Sequence, residues 1–151
     1  MKRITIWALL VAAAFGWTGT ASAVKPASTD SPFINVTTTP DRLDLGTAPF
    51  MGPHEVKAAL TVEVDANCVH GPIYLSTTPL SRRNGGSIEP ERVFVRTEAT
   101  NGFVAIKRPV AISQTAKGSH KIVLDVRVDT PDGAPAGEYS GVFSLMIVPP
   151  V

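Results

Sequence analysis

The chain reads as an all-β protein: an antiparallel two-sheet sandwich of seven or eight strands, preceded by a helical signal peptide. Three observations predict it. Apolar residues recur at every second position in several runs. The plainest has Val56, Ala58, Leu60, Val62, Val64, Ala66 and Cys68 on one parity and Lys57, Thr61, Glu63, Asp65 and Asn67 on the other. Period two is the spacing of a strand with one buried face. Clusters of Gly, Pro and Asn separate these runs at roughly regular intervals, as between the strands of a sandwich. No helical periodicity shows anywhere after residue 23.

The first 23 residues have the make-up of an export signal. Lys2 and Arg3 supply the charge, residues 4–15 an apolar stretch, and Ala21-Ser22-Ala23 the small-residue cleavage site. The apolar stretch is shorter than the roughly 20 residues of a membrane span. Cleavage after Ala23 leaves 151 − 23 = 128 residues, the size of one domain. Three segments follow: signal peptide 1–23, flexible leader 24–32, and sandwich 33–149. Both tryptophans, Trp7 and Trp17, fall within the signal. The charge without Lys2 and Arg3 is 12 basic against 13 acidic residues. With only Arg82-Arg83 as a basic cluster, nucleic acid is excluded as a partner, and no membrane association is expected after cleavage.

The leader 24–32 is rich in Ser, Pro and Ala. Residues 33–38 form a β-branched run that Pro40 interrupts and residues 42–46 resume. A proline and a glycine so close together suit an edge strand that bends or changes sheets. Residues 55–68 are the clearest strand, because a one-residue slip would bury its charged face. The same parity puts Cys68, the single cysteine, on the core face as an inert thiol. Residues 73–78 are the next strand. Asn84-Gly85 marks a tight turn, since it supplies positive φ angles. Residues 93–97 and 103–107 are short strands about a turn at 100–102, and residues 109–113 are a short apolar piece. Two long strands close the chain. Ile122, Leu124, Val126 and Val128 share one face of 120–129; Tyr139, Phe143, Leu145 and Ile147 share one face of 138–148. The loop 130–137 between them, with two prolines and two glycines, breaks any strand.

The stretch from Val126 through Thr130-Pro-Asp-Gly-Ala-Pro-Ala-Gly137 to Tyr139 resembles the closing strands of bacterial exported immunoglobulin-like and fibronectin-like domains. Ile34-x-Val36 and Leu43-x-Leu45-Gly46 look like their opening strand. The resemblance implies an immunoglobulin-like sandwich, with Tyr139 as a buried corner tyrosine bonding back to the turn backbone. Two features depart from the antibody type: Tyr74 stands where a core tryptophan is usual, and a lone cysteine forbids an inter-sheet disulfide. The fold by itself implies no function.

Searching for chemistry returns little. His54, His70 and His120 lie in or beside three different turns, with no partner at metal-ligand spacing; a metal site would need them to converge. Asp129, Asp132 and Gly133 lack the alternating oxygen ligands of a calcium loop. Glu89 and Glu91 flank Pro90 in a solvated loop without an aromatic platform, a poor pair for glycoside chemistry. No nucleophile elbow or zinc-protease motif occurs. No catalytic residue, cofactor or metal ligand is therefore assigned, and the protein is expected not to be an enzyme.

What remains is contact. Phe50 and Met51 in a loop, with Phe94 on the face opposite Val93 and Val95, are the candidate partner surface. The expected role is an exported structural or adhesive component of the periplasm or cell surface, with a protein partner or cell-surface component. The alternative is a fimbria-like subunit that exchanges strands between copies. Against it stand the intact final strand and the leader, which lacks the alternating apolar residues of a donor.

Overall fold

The computed structural model describes residues 2–10, 31–48 and 52–148. Fourteen strands follow in order: β1 (Lys2–Leu10), β2 (Ile34–Thr39), β3 (Arg42–Ala48), β4 (Gly52–Ala66), β5 (Val69–His70), β6 (Ile73–Thr77), β7 (Leu80–Arg82), β8 (Ser87–Ile88), β9 (Val93–Arg96), β10 (Val104–Ala105), β11 (Val110–Ser113), β12 (Ala116–Lys117), β13 (His120–Thr130) and β14 (Glu138–Ile147). One turn of 3₁₀ helix, Pro90–Arg92, precedes β9. The first sheet runs β11-β6-β14-β1-β3, with β7 and β8 attached beside β14; the second runs β10-β9-β13-β4-β2; β5 and β12 form a small third.

The two large sheets face each other across one core. The first contributes Leu43, Leu45, Ile73, Leu75, Tyr139, Phe143 and Leu145; the second contributes Leu60, Val62, Val64, Val93, Val95, Leu124, Val126 and Val128. The alternation read in β4, β13 and β14 is the reason: each strand sends every second side chain inward. Burying each of these aliphatic or aromatic groups contributes roughly 1.5–3 kcal/mol before chain entropy is set against it. The chain passes from the second sheet to the first between β2 and β3, through a cis Thr39-Pro40 bond. The change of sheet expected at this proline is therefore observed.

The tight turn expected at Asn84-Gly85 joins β7 to β8, with Leu80 opposite Ile88, and Gly85 and Gly86 take the positive φ angles. Tyr139 is fully buried, and its hydroxyl donates to the Pro135 carbonyl at 2.9 Å. This is the corner arrangement expected of it. Arg82 ties the two turns together: its guanidinium donates to the carbonyls of Gly85 (2.7 Å) and Ala136 (2.8 Å).

Three expectations need correction. Residues 2–10, expected in a helix ahead of the sandwich, form strand β1 inside the first sheet; Ala21 and Ala23 lie outside the described residues. The reason is local as well as tertiary, because Ile-Thr-Ile-Trp is rich in β-formers and both neighbouring strands offer it open hydrogen-bonding groups. Ala58, expected inward, is exposed with φ +48°. Three residues of β4, 57–59, stand against the single Asp125 of β13, since Leu60 pairs with Leu124 and Val56 with Val126. The two extra residues form a bulge that preserves parity on either side and buries Ala59 instead. Cys68, expected on the core face, lies in a bend past the end of β4 and is half-buried, its Sγ 3.6 Å from the Phe33 carbonyl. Asn67 accounts for the bend. Its Oδ1 accepts from the Phe33 amide at 2.8 Å and its Nδ2 donates to the Ser31 carbonyl at 3.1 Å, which pins the incoming chain rather than extending the strand.

Candidate functional site: a strand slot in the first sheet

The first sheet has an uncommon construction. Next to its end strand β3 lies β1, which runs parallel to β14 with Arg3 to Leu10 opposite Glu138 to Leu145. On its other side β1 runs antiparallel to β3, with Ile6 opposite Leu43 and Thr5 opposite Asp44. Among the described residues β3 has no other strand partner in this sheet. Take β1 away and two backbone edges are left facing a gap one strand wide. Unpaired edges of this kind template pairing with another chain.

The floor of that slot is apolar. Opposite Ile4, Ile6, Ala8 and Leu10 stand Tyr139, Gly141, Phe143 and Leu145, all buried, and Leu43 and Leu45 of β3 are buried as well. The intervening positions of β14, Glu138 and Ser140, are exposed. Gly141 is needed for packing: a Cβ there would meet Leu80 Cδ2 at 2.6 Å and the Pro79 carbonyl oxygen at 3.3 Å. Leu80 of β7 thus reaches over Gly141 from the side away from β1. The loop 131–137 ends at one end of β14, where the Tyr139–Pro135 and Arg82–Ala136 hydrogen bonds hold it.

The outer face of the second sheet carries the other polar concentration. Asp125 Oδ1 accepts from the Ala58 amide at 2.8 Å, and its Oδ2 from Arg96 Nη2 at 2.6 Å. These two interactions, the amide first, hold the Asp125 carboxyl below the usual carboxylate range. The same carboxylate raises the Arg96 guanidinium above its ordinary value. Arg96 also reaches Glu55 at 3.3 Å. Arg127 lies 4.3 Å over the Phe94 ring, and Arg96 lies 4.5 Å over Phe103, both within cation–π range. Phe94, from the candidate partner surface, is thus half-buried beneath a guanidinium. Phe50 and Met51 lie outside the described residues.

Two of the three histidines converge. The rings of His70 and His120 stack with centroids 5.3 Å apart; His70 Nδ1 donates to the Gly71 carbonyl at 2.7 Å, and its buried Nε2 meets no hydrogen-bond partner. His54 instead donates through Nε2 to the Leu45 carbonyl. Among the described residues no group of three or more His, Cys, Asp or Glu side chains is placed to hold a metal ion. Sequence reasoning missed this strand because it weighed residues 2–10 only as a signal, and residues 6–10 are apolar at every position, so no period of two marks them.

Compared with known proteins, the chain matches no family model, and no curated protein matches it. The functional reading therefore stands on the geometry.

Proposed function

We propose that this is an exported, non-enzymatic sandwich of immunoglobulin type that works by contact in the periplasm or at the cell surface, as a subunit whose first sheet is completed by a strand from outside its mature fold. One observation carries the proposal: β1, the strand between β14 and β3, is built from residues 2–10, the charged start and first apolar residues of the segment that reads as an export signal. Cleavage after Ala23 removes that strand and opens the slot. The final strand β14 is intact, as the sequence indicates; the gap lies beside it. Strand addition to an open sheet edge draws affinity from main-chain hydrogen bonds and specificity from alternate side chains. Filling the slot by strand exchange makes the protein one piece of an assembly, structural or adhesive in role.

The test is to express the chain with export, establish its N-terminus by mass spectrometry, and compare its melting with that of an uncleaved chain. The proposal expects a start at Val24 and a lower Tm for the processed chain when it is alone. A processed chain that melts with the uncleaved one, or a chain never cleaved, would sink it.

A further inference from the structure

We infer that His70 and His120 form an acid-sensitive latch at one end of the sandwich: the stacked pair holds one proton, and a second opens the small sheet of β5 and β12. The two rings lie 12° from parallel with centroids 5.3 Å apart, but their surroundings differ. His120 has an acceptor at each nitrogen. Its Nδ1 is 3.3 Å from the Gly118 carbonyl and its Nε2 3.4 Å from Ser113 Oγ, whose own hydroxyl donates to the Gln114 carbonyl at 3.1 Å. That arrangement suits an imidazolium, which donates from both nitrogens and accepts at neither. His70 is the reverse case. Its Nδ1 donates to the Gly71 carbonyl at 2.7 Å, so Nε2 of the neutral ring is a bare acceptor. The side chain is 0% exposed, and that nitrogen meets no hydrogen-bond partner. A proton added there makes a buried charged donor with nothing to donate to, which destabilises the closed state.

A first proton on His120 is accommodated, and the resulting cation lies over the face of a neutral aromatic ring. A second, on His70, sets two like charges at the 5.3 Å spacing of the stack. The charged and titratable groups on the surrounding elements do not offset this. On β4, Glu63 pairs with Lys121 of β13 at 3.1 Å, and Asp65 accepts from Ser119 Oγ. Lys117 of β12 is exposed opposite Val69, and Cys68 Sγ lies against the Phe33 carbonyl. β6, β11 and residues 142–148 carry no charged residue. Among the described residues neither carboxylate forms an ion pair with either imidazole. The ribbon that must yield is short: β5 pairs with β12 alone, through His70–Ala116 and Val69–Lys117. Such a unit opens well before the core. Its opening reaches the end of β14, because the Gly71 amide donates to the Val148 carbonyl at 3.0 Å and the Val148 amide to the Pro72 carbonyl at 3.3 Å. The open segment takes a proton on each ring and the closed pair only one. Closure is therefore favoured as pH rises and is lost as pH falls through the ordinary histidine range near about 6.5.

The test follows the full chain from about pH 7.5 to about pH 4.5 by imidazole ¹⁵N NMR and by amide hydrogen exchange, corrected for the intrinsic pH dependence of exchange. The expected result is that His120 takes its proton while residues 69–70 and 116–117 stay protected. His70 should take one only as that protection falls, by up to about tenfold per pH unit. Protonation of both rings, or of His70 ahead of His120, with the protection unchanged overturns the latch. The variant His70→Phe keeps a ring in the stack and takes no proton. Its protection at 116–117 should be flat over the same range, and a fall in acid like the parent's would mean that His70 is not the sensor. Should His70→Phe not fold, the parent's titration decides alone. None of these outcomes bears on which strand completes the first sheet, so the latch and the proposed function stand or fall separately.

Discussion

The two sheets of this sandwich are closed in different ways. The second draws every strand from residues 34–130, and its central pair, β4 and β13, is in register along nearly its whole length. The first includes residues 2–10 between β14 and its end strand β3, and β3 pairs in that sheet with β1 alone among the described residues. One sheet is drawn wholly from residues 34–130, and the other takes in residues 2–10 as well. Local stability is unequal across many folds, with binding elements drawn from the weaker end.

The largest expected effect breaks the comparison at its root. Removing residues 1–23 should cost about 3 kcal/mol or more, because the inner faces of β14 and β3 lose their cover. Denaturant unfolding of the full and shortened chains measures it, and equal midpoints would mean that the first sheet also closes by itself. A pair of core truncations sharpens the point. Leu124→Ala in the second sheet, at a side chain with 0% exposure, should cost about 2–5 kcal/mol whether or not β1 is present. Leu43→Ala in β3 should cost a comparable amount in the full chain and well under half of it in the chain beginning at Val24. Identical costs for Leu43→Ala in both backgrounds would contradict a β3 that depends on the slot's occupant.

Smaller effects probe what frames each sheet. Tyr139→Phe removes the bond to the Pro135 carbonyl and should lower stability by about 1 kcal/mol, with faster proteolysis within 131–137. On the second sheet, Asp125→Asn keeps an acceptor for the Ala58 amide but loses the charge facing Arg96. Its cost should stay under about 1 kcal/mol at neutral pH. Because the native carboxyl titrates below its ordinary value of about 3.9, its contribution is whole above that value and is lost as pH falls through the lower native one. The gap in Tm between the parent and Asp125→Asn should therefore be flat from neutrality to about pH 4 and close below it; a gap that widens in acid would reverse the sign. The smallest change is Ala58→Gly, which relieves the positive φ of the bulge. It should raise stability by about 0.5 kcal/mol, the relief exceeding the added chain entropy.

Much of this was readable from residue order. Where a strand has one wet face, parity names its buried side chains, and Leu60 to Ala66, Ile122 to Val128 and Tyr139 to Leu145 all sit as their alternation indicates. Turn chemistry fared similarly at Gly85 and at Tyr139, because a positive φ or a buried hydroxyl has few solutions. Reading failed where a residue's place depends on a distant partner. Nothing near Ala58 in the sequence announces that Asp125 will hold a bulge open there, and the short pair β5 and β12 gives no periodicity to read. The slot was not legible: residues 6–10 are apolar at every position, without a period of two, and the same residues satisfy an export signal.

By itself, then, the order of residues determined the kind of fold, the face each long strand buries and the sites of the tight turns, since these follow from local sterics and from water's exclusion of apolar groups. Only the tertiary structure decided that β14 and β3 stand one strand apart with residues 2–10 between them. Which strands become neighbours is settled by packing across the whole core, where the open edges of two separated segments compete for the same partner, and no local pattern encodes that competition.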